Sequence, residues 1–278
     1  MNRIIPFALL SLLPLVALPV QARAGFSLGI SPVRWEAAGK PGETVRNVVK
    51  LRSGAGAMQD VKVTVCNWTL TEDGAPVYDE AGSMTDSAVA WIRLEPDAFS
   101  VYPRQEKLVR VSVEIPSIVP PGSYRAALLF EPPSPDHKVD VEGTASVFIR
   151  GRLAFPIYVT VGDARPDGEI LESAWHEITG KGLTLALKIR NGGNAHLRMS
   201  GFFSCRSRSK STFEGIVAEV PILPGQTRWV PMEFQGESPP PGADLDLTLH
   251  VDLGRGEREF KHNVQSVEKQ EGTGLKSP

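Results

Sequence analysis

The side chains best suited to metal or nucleophilic chemistry are His137, His176, His196, His250 and His262, with Cys66 and Cys205. No two histidines form an HxxxH or HExxH pair, and none lies near a cysteine at zinc-ligand spacing. No GxSxG elbow supplies a serine nucleophile. Asp244 and Asp246 share one face of a strand pattern and could hold calcium or act as acid and base, but such pairs are ordinarily the wet face of an outer strand. Asn67-Trp68-Thr69 matches a glycosylation sequon inside a strand pattern and carries no weight. The tryptophans are spread over both halves, as core packing requires rather than a sugar-stacking platform. No catalytic set, metal site or cofactor is expected.

Cys66 and Cys205 fall in different halves, so a bridge would have to join two domains; buried thiols are the simpler expectation. The chain of 278 residues carries 30 Lys+Arg against 32 Asp+Glu. A weakly acidic, scattered balance excludes nucleic-acid binding, which needs clustered cations facing phosphate. The best basic cluster, Arg206, Arg208 and Lys210, alternates with serines after Phe202-Phe203 and reads as a solvated strand end.

Elements to position any site must come from strands. Val61, Val63 and Val65 alternate with polar or small neighbours. So do Val109, Val111, Val113 and Ile115; Leu183, Leu185, Leu187 and Ile189; and Leu245, Leu247, Leu249 and Val251. Period two gives one apolar face for a core and one polar face for water, the pattern of antiparallel sheets. Pro-Gly at 41–42, 121–122, 224–225 and 241–242, with Asp73-Gly74 and Asn191-Gly192-Gly193-Asn194, supplies the turns. No segment after residue 24 keeps a helical apolar period for three turns without Pro or Gly. The expected class is all-β: two immunoglobulin-like β-sandwich domains joined by a short linker, with a cleft between them. A strand, a Pro-Pro-Gly turn and a second strand recur 120 positions apart, around 120–122 and 240–242. The pattern breaks between Gly162 and Gly168, which places domains at 25–162 and 168–265 and a polar tail at 266–278.

The N-terminus has a positive residue, Arg3, an apolar run from Ile4 to Val20, and Ala22-Arg23-Ala24 before Gly25. These are the three parts of a secretory signal over residues 1–24. Pro6, Pro14 and Pro19 and a length at the lower limit of a span argue against a stable membrane anchor.

The stretch from Ser27 to Glu36, with Ser31-Pro32-Val33-Arg34-Trp35-Glu36, resembles the first strand of the periplasmic pilus-assembly (fimbrial) chaperones. Cys66-Asn67-Trp68-Thr69, Leu94-Glu95-Pro96 and the run from Tyr102 to Val111 are similar to further stretches of that family. The resemblance covers about residues 26–160. The family's acidic-basic-acidic signature before its sixth strand is replaced here by Pro121-Gly122-Ser123-Tyr124-Arg125, so the chain reads as a divergent member.

The resemblance implies a periplasmic chaperone whose partners are exported pilus-type subunits, and it leaves open whether an outer-membrane usher takes part. Such a chaperone lends the last strand of its first domain to a subunit that lacks one, while basic side chains in the cleft hold the subunit's C-terminal carboxylate. By position, Arg34 matches the cleft arginine. Arg152 matches a second basic residue that is usually lysine, and Arg150 lies two residues away on the same face. The last strand is expected over 139–159, with Val139, Val141, Ala145, Val147 and Ile149 facing the subunit. Gly143 and Ala145 fill little of a groove. The alternative is a non-catalytic structural or adhesive secreted protein, which needs only the two sandwiches.

Overall fold

The structure, a computed structural model, describes residues 26–79, 84–133, 137–141, 145–149 and 151–266, with 137–141 and 145–149 described as backbone alone. The expected signal peptide, Arg150 and the tail beyond Ser266 lie outside these residues. In chain order the strands of the first half are β1 (Leu28–Ser31), β2 (Trp35–Gly39), β3 (Thr44–Ser53), β4 (Gln59–Leu70), β5 (Pro76–Asp79), β6 (Ile92–Glu95) and β7 (Ala98–Val101). They continue with β8 (Glu106–Glu114), β9 (Gly122–Glu131), β10 (His137–Val141), β11 (Ala145–Ile149) and β12 (Leu153–Val161). One sheet orders β1-β3-β8-β6; the facing sheet orders β2-β12-β9-β4-β5, with β7 also on β4.

The alternation read in the sequence becomes the packing. Val49 and Leu51 of β3 and Val109, Val111 and Val113 of β8 point inward. They meet Ala126, Leu128 and Phe130 of β9 and Phe155, Ile157 and Val159 of β12, all of them fully buried. Each large aliphatic so buried contributes on the order of 1.5–3 kcal/mol. β4 departs from simple alternation: Val61 and Val63 enter this core, while Cys66, Trp68 and Leu70 are buried on the opposite face. That face is covered by the second half of the chain, so neither side of the strand meets water there.

The first strand changes sheets. β1 pairs antiparallel with β3, whereas β2 runs parallel to β12 in the register Trp35–Ile157 to Gly39–Val161. β2 therefore covers only residues 157–161 of β12. Among the described residues, no strand pairs with 153–156 on that flank, nor with β11 on the flank away from β10.

The second half holds β13 (Gly168–Ile178), β14 (Gly182–Asn191), β15 (Leu197–Arg198), β16 (Ser200–Ser207), β17 (Thr212–Val217), β18 (Pro221–Ile222), β19 (Thr227–Phe234), β20 (Leu245–Asp252) and β21 (Glu257–Val264). β19 joins its two layers: residues 227–231 pair with β14, and 232–234 pair with β17. The change falls at Pro231, which has no N–H to give a continuous ladder. Leu185, Leu187 and Ile189 of β14 face Leu245, Leu247, Leu249 and Val251 of β20 across a buried core. The fold is all-β, two immunoglobulin-like sandwiches. In the first half the Pro-Pro-Gly connection carries the chain from one sheet to the other, from β8 to β9; in the second it links β19 to β20 within one seven-stranded sheet.

One expectation is corrected. The last strand of the first sandwich does not run unbroken over 139–159 but is divided into β10, β11 and β12. β10 and β11 pair as an antiparallel hairpin, with Val139 opposite Val147 and Val141 opposite Ala145. A hairpin satisfies the main-chain groups on the facing edges of its two arms and leaves those on the outer edges unpaired by it. Gly143 between two alternating runs is the hairpin signal that period two alone passes over.

Cys66 and Cys205 are buried in separate clusters and no bridge joins them. Burial pushes the Cys205 thiol up to about 11. The basic run after β16 is a solvated turn, where Arg208 pairs with Asp244 at 2.9 Å. Asp246 accepts a hydrogen bond from Asn263 on the neighbouring strand.

Truncating Phe155 to alanine should cost about 3–5 kcal/mol in urea denaturation, because its ring is fully enclosed between the sheets. Ile118→Ala, at a side chain 96% exposed, should stay within about 0.5 kcal/mol of the parent.

Candidate functional site

The outer face of β4, β9 and β12 is where the two sandwiches meet. Cys66, Trp68 and Leu70, with Ala127, Leu129 and Tyr158, pack there against Leu223 from the loop after β18. The Trp68 ring meets Tyr158 edge-on at 5.1 Å between centroids. The second sandwich adds polar ties. Gln226 donates to the Leu70 carbonyl at 3.2 Å, Asn194 Nδ2 donates to the Pro121 carbonyl at 3.2 Å, and the Ser123 N–H donates to the Asn194 carbonyl at 2.8 Å. Arg228 is buried beside the β4–β5 turn and donates to the Pro221 carbonyl at 2.7 Å. Its guanidinium fills the space where a Cβ on Gly74 would stand, and Gly74 has φ +82°.

At the rim of this contact lies a cluster of charge. Arg34 and Glu36 come from the point where the first strand changes sheets; His196, Arg198 and Glu219 come from the second sandwich. Glu36 accepts from Arg34 Nε at 3.2 Å, from Arg198 Nε at 2.5 Å and faces His196 Nε2 at 2.5 Å. His196 Nδ1 sits 3.1 Å from the Ser123 hydroxyl, which leaves both ring nitrogens engaged. Arg34 Nη2 donates to Glu219 at 2.9 Å. Tyr158 is the floor of the cluster, with the Arg198 guanidinium 4.9 Å above its ring and the His196 ring 4.4 Å away.

Electrostatics follow from that crowding. Burial alone would raise the Glu36 carboxyl, but the hydrogen bond and charge of His196, followed by the charge of Arg198, outweigh it and bring it down to about 2. Burial pushes the Tyr158 phenol up to about 12, with Arg198 opposing and Glu36 adding to the shift.

The structure separates the two arginines singled out in the sequence. Arg34 is in the junction, one residue before the Trp35–Ile157 pair and so level with Pro156. Arg152 is four positions upstream of Pro156 and pairs with Glu131 at 2.7 Å. Ala145, Val147 and Ile149 lie on β11, while Val139 and Val141 lie on its hairpin partner β10. Residue types alone do not single out Glu36, Arg198 and Glu219 or place His196 with them; Arg34 and Glu36 meet His196, Arg198 and Glu219 across separations of 160 to 185 residues. Among the described residues, no group of three or more His, Cys, Asp or Glu is placed to hold a metal ion.

No family model and no curated protein matches the sequence. Among solved structures, the chain is similar to the class 5 fimbriae chaperone CfaA, at 12% identity and a TM-score of 0.45 over 87% of this chain and 100% of that one. It is similar to a chain of the CsuC–CsuE chaperone–tip subunit pre-assembly complex from Acinetobacter baumannii, at 11% identity and a TM-score of 0.44 over 87% of this chain and 100% of that one. A chain of the Salmonella enterica complex of SafA pilin with the SafB chaperone gives 12% identity and a TM-score of 0.43, over 85% of this chain and 96% of that one.

Because its carboxyl is held near 2 against an ordinary 4.5, Glu36 contributes stability that is present above pH 4.5 and lost as pH falls towards 2. The side chain is 38% exposed, so screening limits that contribution to about 1 kcal/mol. Glu36→Gln should lower the neutral-pH melting temperature and show a smaller further loss between pH 4.5 and 2 than the parent, followed by thermal circular dichroism.

Proposed function

We propose that this chain acts in the periplasm as a chaperone of the pilus-assembly type, which completes the sheet of an exported subunit and holds the subunit's C-terminal carboxylate. In this reading residues 1–24 are removed on export, 25–162 and 168–265 are the two domains, and the chain performs no catalysis.

The observation that carries it is the place where β2 begins. Among the described residues, β2 covers one flank of β12 only from Ile157 onward, and no strand pairs with 153–156 on that flank or with β11 on the flank away from β10. An added strand would occupy the line that β2 has vacated. Parallel to β12, as β2 is, such a strand would run towards Arg34 and finish there with its C-terminus. Antiparallel, it would bring an N-terminal ammonium up to a guanidinium. Charge therefore selects a parallel strand ending in a carboxylate, which Arg34 can meet with two parallel N–H bonds.

The affinity of the added strand comes from its ladder, at about 0.5–1.5 kcal/mol net per main-chain bond, and from side chains of the slot. Ala145, Val147 and Ile149 of β11 and the half-buried Leu153 are the residues that face or border a client. Val139 and Val141, on β10, stand opposite Val147 and Ala145. Arg152 stands along the slot as the second basic side chain, already balanced by Glu131. An outer-membrane usher would take the loaded complex in the next step.

Purification of the tagged chain from periplasm, with any bound protein identified by mass spectrometry, tests this directly. The expected client is a strand-deficient subunit whose complex is lost with Arg34→Ala and with deletion of the client's last residues. A chain that elutes alone, or a complex indifferent to both changes, would overturn the proposal.

A further inference from the structure

Arg34 already has two carboxylates of its own chain, and they are held very differently. Glu36 takes hydrogen bonds from Arg34, Arg198 and His196 at 3.2, 2.5 and 2.5 Å and is fixed at the centre of the cluster. Glu219 has one close donor, Arg34 Nη2 at 2.9 Å, with Arg198 Nη1 farther off at 3.9 Å. Its side chain is 54% exposed, on the loop between β17 and β18. The backbone of that loop is anchored beside it, where the Ala218 N–H donates to the Pro231 carbonyl at 3.0 Å. Glu219 can thus leave Arg34 without moving the sandwich that carries it.

We propose that Glu219 is an internal stand-in for the client's terminal carboxylate and sets which carboxylates Arg34 will accept. This rests on the reading of Arg34 as the carboxylate anchor and deepens it. An incoming carboxylate takes the place of another at the same guanidinium, so the charge of the cluster is unchanged by the exchange. The gain at Arg34 is correspondingly small, and a free acid or an unstructured chain end has nothing else to offer. A carboxylate at the end of a strand laid along 153–156 brings its ladder as well and displaces Glu219. Glu219 therefore sets a threshold: it lowers the affinity of every incoming carboxylate by the same factor, so that one without a strand falls below useful binding while one brought in by a strand ladder stays bound.

The test uses an acetylated octapeptide of alternating threonine and valine with a free C-terminal carboxylate, and the same peptide as its C-terminal amide. Both are titrated by NMR into the full mature chain, into Glu219→Gln and into Arg34→Ala. The expected result is that Glu219→Gln binds the carboxylate peptide about two- to fivefold more tightly than the parent, the size expected of an exposed ion pair, with no gain for the amide. Arg34→Ala should remove the preference for the carboxylate. Equal affinity of parent and Glu219→Gln, with the preference still dependent on Arg34, would overturn the role of Glu219 and leave Arg34 as the anchor. No preference for the carboxylate in either of these two proteins would overturn both. Glu219→Ala, titrated in parallel, separates loss of the charge from any contact the glutamine keeps.

Discussion

The parallel pairing of β2 with β12 is the constraint on which the rest of this molecule depends. A strand that began the chain in one sheet and stayed there would leave all of β12 exposed; one that crossed over and ran its full length would seal it. Here the crossing falls between Ser31 and Trp35, and the ladder to β12 starts only at Ile157. The residues spent on the crossing are those that carry Arg34 to the junction. One feature of the backbone thus fixes both the length of the open flank and the position of the charge at its end.

The second sandwich holds this arrangement by a mixture of apolar and polar contact. Leu223 packs into the face formed by Trp68, Leu129 and Tyr158, and the Tyr158 ring also meets the His196 ring and the Arg198 guanidinium. Glu36 then ties the two halves at their rim. Its carboxylate receives close donors from both sandwiches at once, Arg34 on one side and Arg198 and His196 on the other. Removing it would leave partly buried cations facing one another, which is why its ionised form is favoured so strongly.

Much of the fold was legible because burial on one face imposes period two. The runs at Val109–Val113 and Leu245–Val251 point inward as their alternation requires, and the break near Gly162 falls between the last strand of the first sandwich and β13. Legibility failed where a strand is buried on both faces, as at Cys66 and Trp68, because the second cover comes from residues more than 150 positions away. It failed again at 139–149, where a hairpin and a long strand share one alternation. Of the site, Arg34 could be placed from the residues around it. Its partners could not, because His196 and Glu219 on loops and Arg198 on the two-residue β15 come together with it only when the two sandwiches dock.

Gly74 shows how narrow the fit between the halves is. The Arg228 guanidinium rests directly on its backbone, with Nη2 in the space a Cβ would need. A single methyl group at this turn would have to wedge the second sandwich outward or expel the arginine. The close approach of the halves at this turn depends on the absence of a side chain, and a hydrogen atom serves as the spacer.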